Sequence, residues 1–222
     1  MRLFPPPKGS GFPPTTTERN LFMKRVIFAT ANEGKMKEIR LLLADLEVEV
    51  LSLKEAGIFV SITEDGKTFE ENALIKVKTV GKEAPEAIIL ADDSGLEVDY
   101  LNREPGVYSA RYMGEDTPYS VKNQAIIDRL SDAVNEERSA RFVCVIAALL
   151  PDGQTFTTRA TIEGQIGYQE EGENGFGYDP ILYLPEYHTT TAGLSMEEKN
   201  RISHRGKALR QMKELLIDKG VI

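Results

Sequence analysis

The chain is expected to fold as an α/β protein built on a mixed sheet with flanking helices. Strand-like and helix-like patterns alternate through its first half: an apolar run at residues 25–30 is followed by Met36, Ile39, Leu42 and Leu43 at helical spacing. Later, residues 140–150 and 155–165 flank Asp152-Gly153, the mark of an antiparallel pair closed by a turn. Such a mixture points to parallel and antiparallel strands in one sheet.

Taken in order, residues 25–30 have the length and composition of a buried strand, and residues 35–43 those of a helix. Residues 48–51 form a second strand. Residues 68–80 form a second helix, opened by Thr68 and Glu71 in the T-x-x-E arrangement and striped by Phe69, Ala73, Val77 and Val80. Residues 87–91 read as a strand that ends at Asp92-Asp93-Ser94-Gly95, because Asp, Ser and Gly favour turns. Residues 118–130 form a helix with Val121, Ala125, Ile126 and Leu130 on its apolar side. Residues 172–177 are a glycine-rich loop. Ser195 and Glu198 repeat the capping pattern, and residues 206–219 make the last helix, with Ala208, Leu209, Met212, Leu215 and Leu216 apolar.

The 222 residues are enough to bury a substantial core, and 41% hydrophobic with 28% charged residues is ordinary for a soluble globular chain. The longest apolar run, residues 142–150, falls well short of the roughly 20 residues a membrane helix needs. A net charge of −8 with no Lys/Arg run argues against duplex nucleic acid as a partner. A polyphosphate ligand would then need a metal ion and a few placed cations. The single cysteine, Cys144, sits in an apolar run and reads as a small buried hydrophobe. A lone thiol fits a reducing, cytoplasmic compartment. Residues 1–22, rich in Pro, Gly and Thr, read as a disordered extension without the apolar core of a secretory signal. The folded domain is expected over residues 23–222.

Five clusters bear groups suited to chemistry. Thr30-Ala31-Asn32-Glu33-Gly34-Lys35 lies at a strand-to-helix junction, where free amides and the helix dipole suit phosphate, although an Asn there is also an ordinary cap. On the second helix Asn72 and Lys76 are four apart and share a face beside the apolar stripe. Glu64 precedes the Asp65-Gly66 turn and alone carries no signal. Asp92 and Asp93 are neighbours on extended chain, so they point to opposite sides: one into a cleft, one in support. A carboxylate there can hold Mg²⁺. In Gly175-Phe176-Gly177-Tyr178-Asp179-Pro180 an aromatic between glycines can stack on a base. Lys199 and Ser203-His204-Arg205-Gly206 supply donors suited to keto oxygens and phosphate, while His188 has nothing around it.

Together and in this order the clusters resemble the inosine triphosphate pyrophosphatase family, also called XTP/dITP diphosphatases. The likeness runs through Ala29-Thr30-Ala31-Asn32-Glu33-Gly34-Lys35, Thr68-Phe69-Glu70-Glu71-Asn72-Ala73, Ala91-Asp92-Asp93-Ser94-Gly95-Leu96 and Pro105-Gly106-Val107-Tyr108-Ser109-Ala110-Arg111-Tyr112. It continues through residues 175–180 and 203–206, and covers residues 24 to about 218. The resemblance implies a mixed, twisted sheet, two lobes around a long central cleft, and a homodimer. It implies Mg²⁺-dependent hydrolysis of ITP, dITP and XTP between the α and β phosphates, cleansing the nucleotide pool. By position, Thr30, Ala31, Asn32, Glu33, Gly34 and Lys35 would wrap the phosphates, with Lys76 touching them. Glu64 and Asp93 would serve the metal, and Asp93 would orient or deprotonate the attacking water. Ser94 would touch substrate. Phe176, Gly177, Tyr178 and Asp179, with Lys199, His204 and Arg205, would hold the base. Ala31 stands where the family often has glycine.

Donors such as Lys199 and Arg205 would favour a 6-keto purine over adenine. Guanine shares that keto group, so such donors do not explain rejection of GTP. Two other readings remain: a related pyrophosphatase acting on modified pyrimidines or methylated bases, and a non-catalytic nucleotide- or RNA-binding module. Carboxylates able to carry a metal argue against the latter.

Overall fold

A computed structural model describes residues 24–222; the extension expected at residues 1–22 lies outside the described residues. One eight-stranded mixed sheet organises the chain. Its strands are β1 (Lys24–Phe28), β2 (Val48–Ser52), β3 (Ile88–Val98), β4 (Glu104–Pro105), β5 (Ser139–Leu149), β6 (Thr155–Ile166), β7 (Leu182–Leu184) and β8 (Thr189–Thr190). They lie in the order β2-β1-β3-β5-β6-β7-β8, with β4 on the free side of β3. The helices are α1 (Glu33–Leu43), α2 (Phe69–Gly81), α3 (Tyr119–Arg129), α4 (Met196–Ile202) and α5 (His204–Asp218). None of them is long and apolar enough to cross a membrane.

The expected mixture is present. β2, β1 and β3 run parallel, and every later pairing is antiparallel. The β5–β6 hairpin turns through Gly153, whose φ of +85° is costly for residues with a Cβ. Strand alternation divides the core. Val26, Phe28, Ile88, Leu90, Cys144 and Ile146 face α1 and α5, while Ile27, Ile89, Ala91, Val143 and Val145 face α2. A third cluster joins Leu96, Val98 and Phe142 to Ile126 and Leu130 of α3 and its end, and to Tyr178. Leu90 and Leu96 share a face of β3, so two cores sit on one side of the sheet, parted by the polar positions Asp92 and Ser94.

The expected strand end at Asp92 is corrected. β3 continues to Val98, because β5 pairs with it along the whole length, Asp92 opposite Ile146 and Asp93 opposite Val145. The two acids stay extended since lysine and arginine side chains meet them there. On its other side β3 outruns β1, whose register ends at Phe28 opposite Leu90; β4 pairs only at Glu97 and Val98. Side chains serve the backbone in that gap: Lys76 Nζ donates to the Asp92 carbonyl at 3.0 Å, and Ser109 Oγ accepts from the Leu96 amide at 2.9 Å.

The expected stripe on α3 is also corrected. Val121 is 47% exposed, while Lys122 and Asn123 are buried. Their polar ends have partners inside: Lys122 Nζ donates to the Ala110 carbonyl at 2.7 Å, and Asn123 Nδ2 to Glu170 and the Gly177 carbonyl. These bonds offset much of the cost of turning a polar flank inward, although Asn123 Oδ1 is buried without a partner among the described residues. The capping box at Ser195 and Glu198 forms in full. Thr68 caps α2 through the Glu71 amide, but the Glu71 carboxylate accepts from Lys67 instead of Thr68.

Candidate active site

Between the two cores on the α1/α5 face of the sheet lies a cavity of about 480 Å³. Its floor carries a line of alternating charges. Lys35 Nζ lies 2.9 Å from Asp92, Asp92 accepts from Arg205 at 3.3 Å, and Arg205 Nη1 donates to Glu38 at 2.7 Å. Glu38 also accepts from Lys199 at 3.2 Å, and Lys199 donates to Asp179 at 2.8 Å. Four elements thus meet: α1 supplies Lys35 and Glu38, β3 supplies Asp92, α4 supplies Lys199 and α5 supplies Arg205.

Burial alone would raise the Asp92 carboxyl, but Lys35, Arg205 and Lys76 hold it far below the usual carboxylate range. Burial would likewise raise Glu38, and the adjoining Arg205 and Lys199 bring it below its usual value. The same partners lift Arg205 above its ordinary value despite burial. His204, buried beside Arg205 and Lys199 and tilted over the Phe142 ring at 5.0 Å, is held well below its usual range and so neutral near pH 7. Its Nδ1 is buried without a hydrogen-bond partner among the described residues.

The roof is the glycine-rich loop. The Phe176 ring is 37% exposed, with Lys199 Nζ 4.9 Å and Arg205 Cζ 5.7 Å from its centroid. Asp179 shapes this loop by accepting from the Phe176 amide at 2.8 Å and from Thr191 Oγ1 at 2.9 Å. Gly175 has a φ of +79°, and a Cβ there would strike the Asp179 carboxylate. The first turn of α1 forms a third wall. Asn32 caps it by accepting from the Lys35 amide at 3.1 Å, and Thr30 Oγ1 accepts from the Asn32 amide at 3.2 Å.

Asp93 points to the opposite face, toward α2. Lys76 Nζ lies 3.1 Å from Asp93 Oδ1 and 2.8 Å from Glu64 Oε2, so two carboxylates share one cation. Burial lowers the Lys76 ammonium, but Asp93, Asp92 and Glu64 more than reverse this and raise it. Asp93 is held above the usual carboxylate value, first by burial and then by Glu64, against the pull of Lys76. Asn72 Nδ2 donates to Asp93 Oδ2 at 3.1 Å. An ammonium already bridges Glu64 and Asp93, both hard oxygen donors, so the pair fits a cation there. Among the described residues no third His, Cys, Asp or Glu joins them. Two carboxylates, completed by substrate oxygens and water, is the usual donor set for Mg²⁺.

The residues singled out in the sequence therefore fall into two groups flanking β3. Asn32, Gly34, Lys35 and Ser94 line the cavity, as do Phe176, Gly177, Tyr178 and Asp179, and Lys199, His204 and Arg205. Thr30, Ala31 and Glu33 adjoin α1's first turn without lining it, and Glu64, Lys76 and Asp93 gather across the strand. Tyr119, Phe142 and Glu38 were not foreseen. Tyr119 and Phe142 line the cavity, and Glu38 anchors both of its deep cations. The available signal for Glu38 was its place one turn after Lys35, beside the buried Met36 and Ile39.

Comparison with known proteins places this arrangement in context. Residues 26–215 match a model of the Ham1 family. The chain is 44% identical over 205 residues to the dITP/XTP pyrophosphatase of Clostridium perfringens, covering 90% of this chain and 100% of that protein. It is 46% identical over 194 residues to the dITP/XTP pyrophosphatase of Bacillus licheniformis, covering 87% and 98%. Among solved structures it is similar to the Ham1 protein of Staphylococcus aureus, with a TM-score of 0.79 at 39% identity over 88% of this chain and 100% of that one. A HAM1 protein from Coxiella burnetii matches with a TM-score of 0.81, again at 39% identity over 88% and 100%.

Proposed function

The chain belongs to the Ham1 family, and from that premise we propose that it is a Mg²⁺-dependent pyrophosphatase converting dITP, ITP and XTP to the monophosphate and pyrophosphate. The observation that carries the reading is the convergence of Glu64 and Asp93 on the Lys76 ammonium, across the strand from a cavity floored with paired charges. The relatives named dITP/XTP pyrophosphatase support the substrate class.

In this reading Glu64 and Asp93 hold Mg²⁺, which when bound offsets phosphate charge and eases ionisation of water. Asp93 accepts the proton of the attacking water, as an ionised carboxylate beside it can. Oxygen attack at the α-phosphorus breaks its bond to the bridging oxygen, and pyrophosphate leaves with that oxygen. Lys35 and Lys76, with Thr30, Ala31, Asn32, Glu33 and Gly34, surround the phosphates. Ser94 contacts the substrate. The base stacks on Phe176 within the wall of Gly177, Tyr178 and Asp179, and Lys199, His204 and Arg205 read its edge. His204 stays neutral beside the Lys199 and Arg205 charges, so it adds no further charge to that edge. We propose further that the enzyme is a cytoplasmic homodimer.

The test is a substrate panel with product identification. Purified protein with Mg²⁺ should release equimolar pyrophosphate and monophosphate from XTP, ITP and dITP, with kcat/KM well above that for ATP or GTP. Omitting the metal with chelator present should stop release. Equal kcat/KM for XTP and GTP would remove the proposed preference. Orthophosphate with a diphosphate product would remove the proposed bond. Binding without turnover would favour a nucleotide-binding module.

A further inference from the structure

The loop bearing Glu64 and the strand bearing Asp93 are separate segments; the Lys76 ammonium bridges their carboxylates, and a second side chain, Asn72, joins the loop's backbone to Asp93. Asn72, fully buried on α2, donates through Nδ2 to Asp93 Oδ2 at 3.1 Å. Its Oδ1 accepts from the Gly66 amide at 2.9 Å, two residues beyond Glu64. A carboxamide presents a donor and an acceptor at once, so it can serve both segments; a hydrocarbon of similar volume serves neither. Gly66 fits the same arrangement: a Cβ there would lie 2.6 Å from Asn72 Oδ1 and 2.8 Å from Glu71 Cβ. The loop presses against α2 at a point where only glycine passes. Its other side is held by Arg111, which donates to the Glu64 carbonyl at 3.0 Å.

We propose that Asn72 is a positioning residue that sets Glu64 and Asp93 at the separation needed to share a divalent cation. The proposal rests on the reading of this pair as the metal site. Asn72 orients the Asp93 carboxylate, leaving Oδ1 for the shared cation, and fixes the loop's approach through Gly66. It touches neither metal nor substrate. Outer partners of metal ligands commonly contribute about 10–100-fold to affinity or rate.

The test uses Asn72→Leu, Gly66→Ala and the double variant, with two readouts. Binding of Mn²⁺ alone, followed by electron paramagnetic resonance, should weaken about tenfold or more in each single variant. Turnover of XTP should lose about 10–100-fold in kcat with KM within about threefold, since the cavity's own contacts are untouched. Because both substitutions break the same tie, the double variant should be no worse than the poorer single one. Unchanged Mn²⁺ affinity in folded Asn72→Leu protein, or additive losses in the double variant, overturns the proposal. If Asn72→Leu does not fold, Gly66→Ala decides: wild-type Mn²⁺ affinity there overturns it. Wild-type protein that binds Mn²⁺ but does not hydrolyse XTP would sink the proposed function while leaving the binding comparison intact.

Discussion

Glu38 Oε2 accepts a hydrogen bond from Arg205 Nη1 at 2.7 Å, joining the first helix to the last beneath the cavity. Both groups are almost wholly buried, and Lys199 shares the same carboxylate. Removing one member of a buried ion pair typically costs about 3–5 kcal/mol, because the remaining charge is left without compensation.

Glu38→Ala should therefore lower unfolding free energy by about 3–5 kcal/mol, measured by denaturant titration with an unchanged slope. A loss under about 1 kcal/mol would mean that water or Asp92 takes over the role of Glu38.

Asp93→Asn should keep the fold and lose about two to four decades of turnover, since an amide cannot accept the proton of the attacking water. Circular dichroism checks the fold and pyrophosphate release the rate. Near-normal turnover in folded protein would remove Asp93 from that task.

Phe176→Ala should raise KM for XTP about 5- to 150-fold with kcat little changed, the effect of losing a stacking face worth about 1–3 kcal/mol. A fall in kcat at constant KM would instead place the ring's influence on the chemical step.

His204 gives a pH dependence whose sign follows from its depressed folded value. Below about pH 6.5 the unfolded chain takes up a proton that the folded chain refuses, so stability rises with pH through that window and falls on acidification. The slope from this one group approaches about 1.4 kcal/mol per pH unit below pH 6. Asp92 adds a second loss only below about pH 4, where its unfolded carboxyl protonates. Melting curves from pH 7.5 to 5 should show the first decline, and His204→Gln should flatten it. An unflattened decline would assign it to other groups.

Much of the fold was legible because periodicity reports which faces are buried. The stripe of Phe69, Ala73, Val77 and Val80, with the Thr68 cap, placed α2 within one residue at each end. Asp92-Asp93 misled because local turn preference ignores partners distant in sequence: Lys35, Arg205 and Lys76 keep that segment extended. The same blindness hid Lys122 and Asn123, whose inward turn depends on carbonyls at Ala110 and Gly177. In the candidate site, residues inside distinctive strings were readable. Glu38 lies in an ordinary amphipathic helix, and only the approach of Lys199 and Arg205, more than 160 positions away, shows what it does.

The two acids of β3 differ in surroundings only because they sit at successive places in a ladder. Sliding that strand one step against β5 would deliver Asp93 to Arg205 and Lys35 and swing Asp92 toward Lys76, so the two acids would trade partners. Insertion or deletion of a single codon between positions 88 and 92 should therefore cost activity even if the sheet survives it.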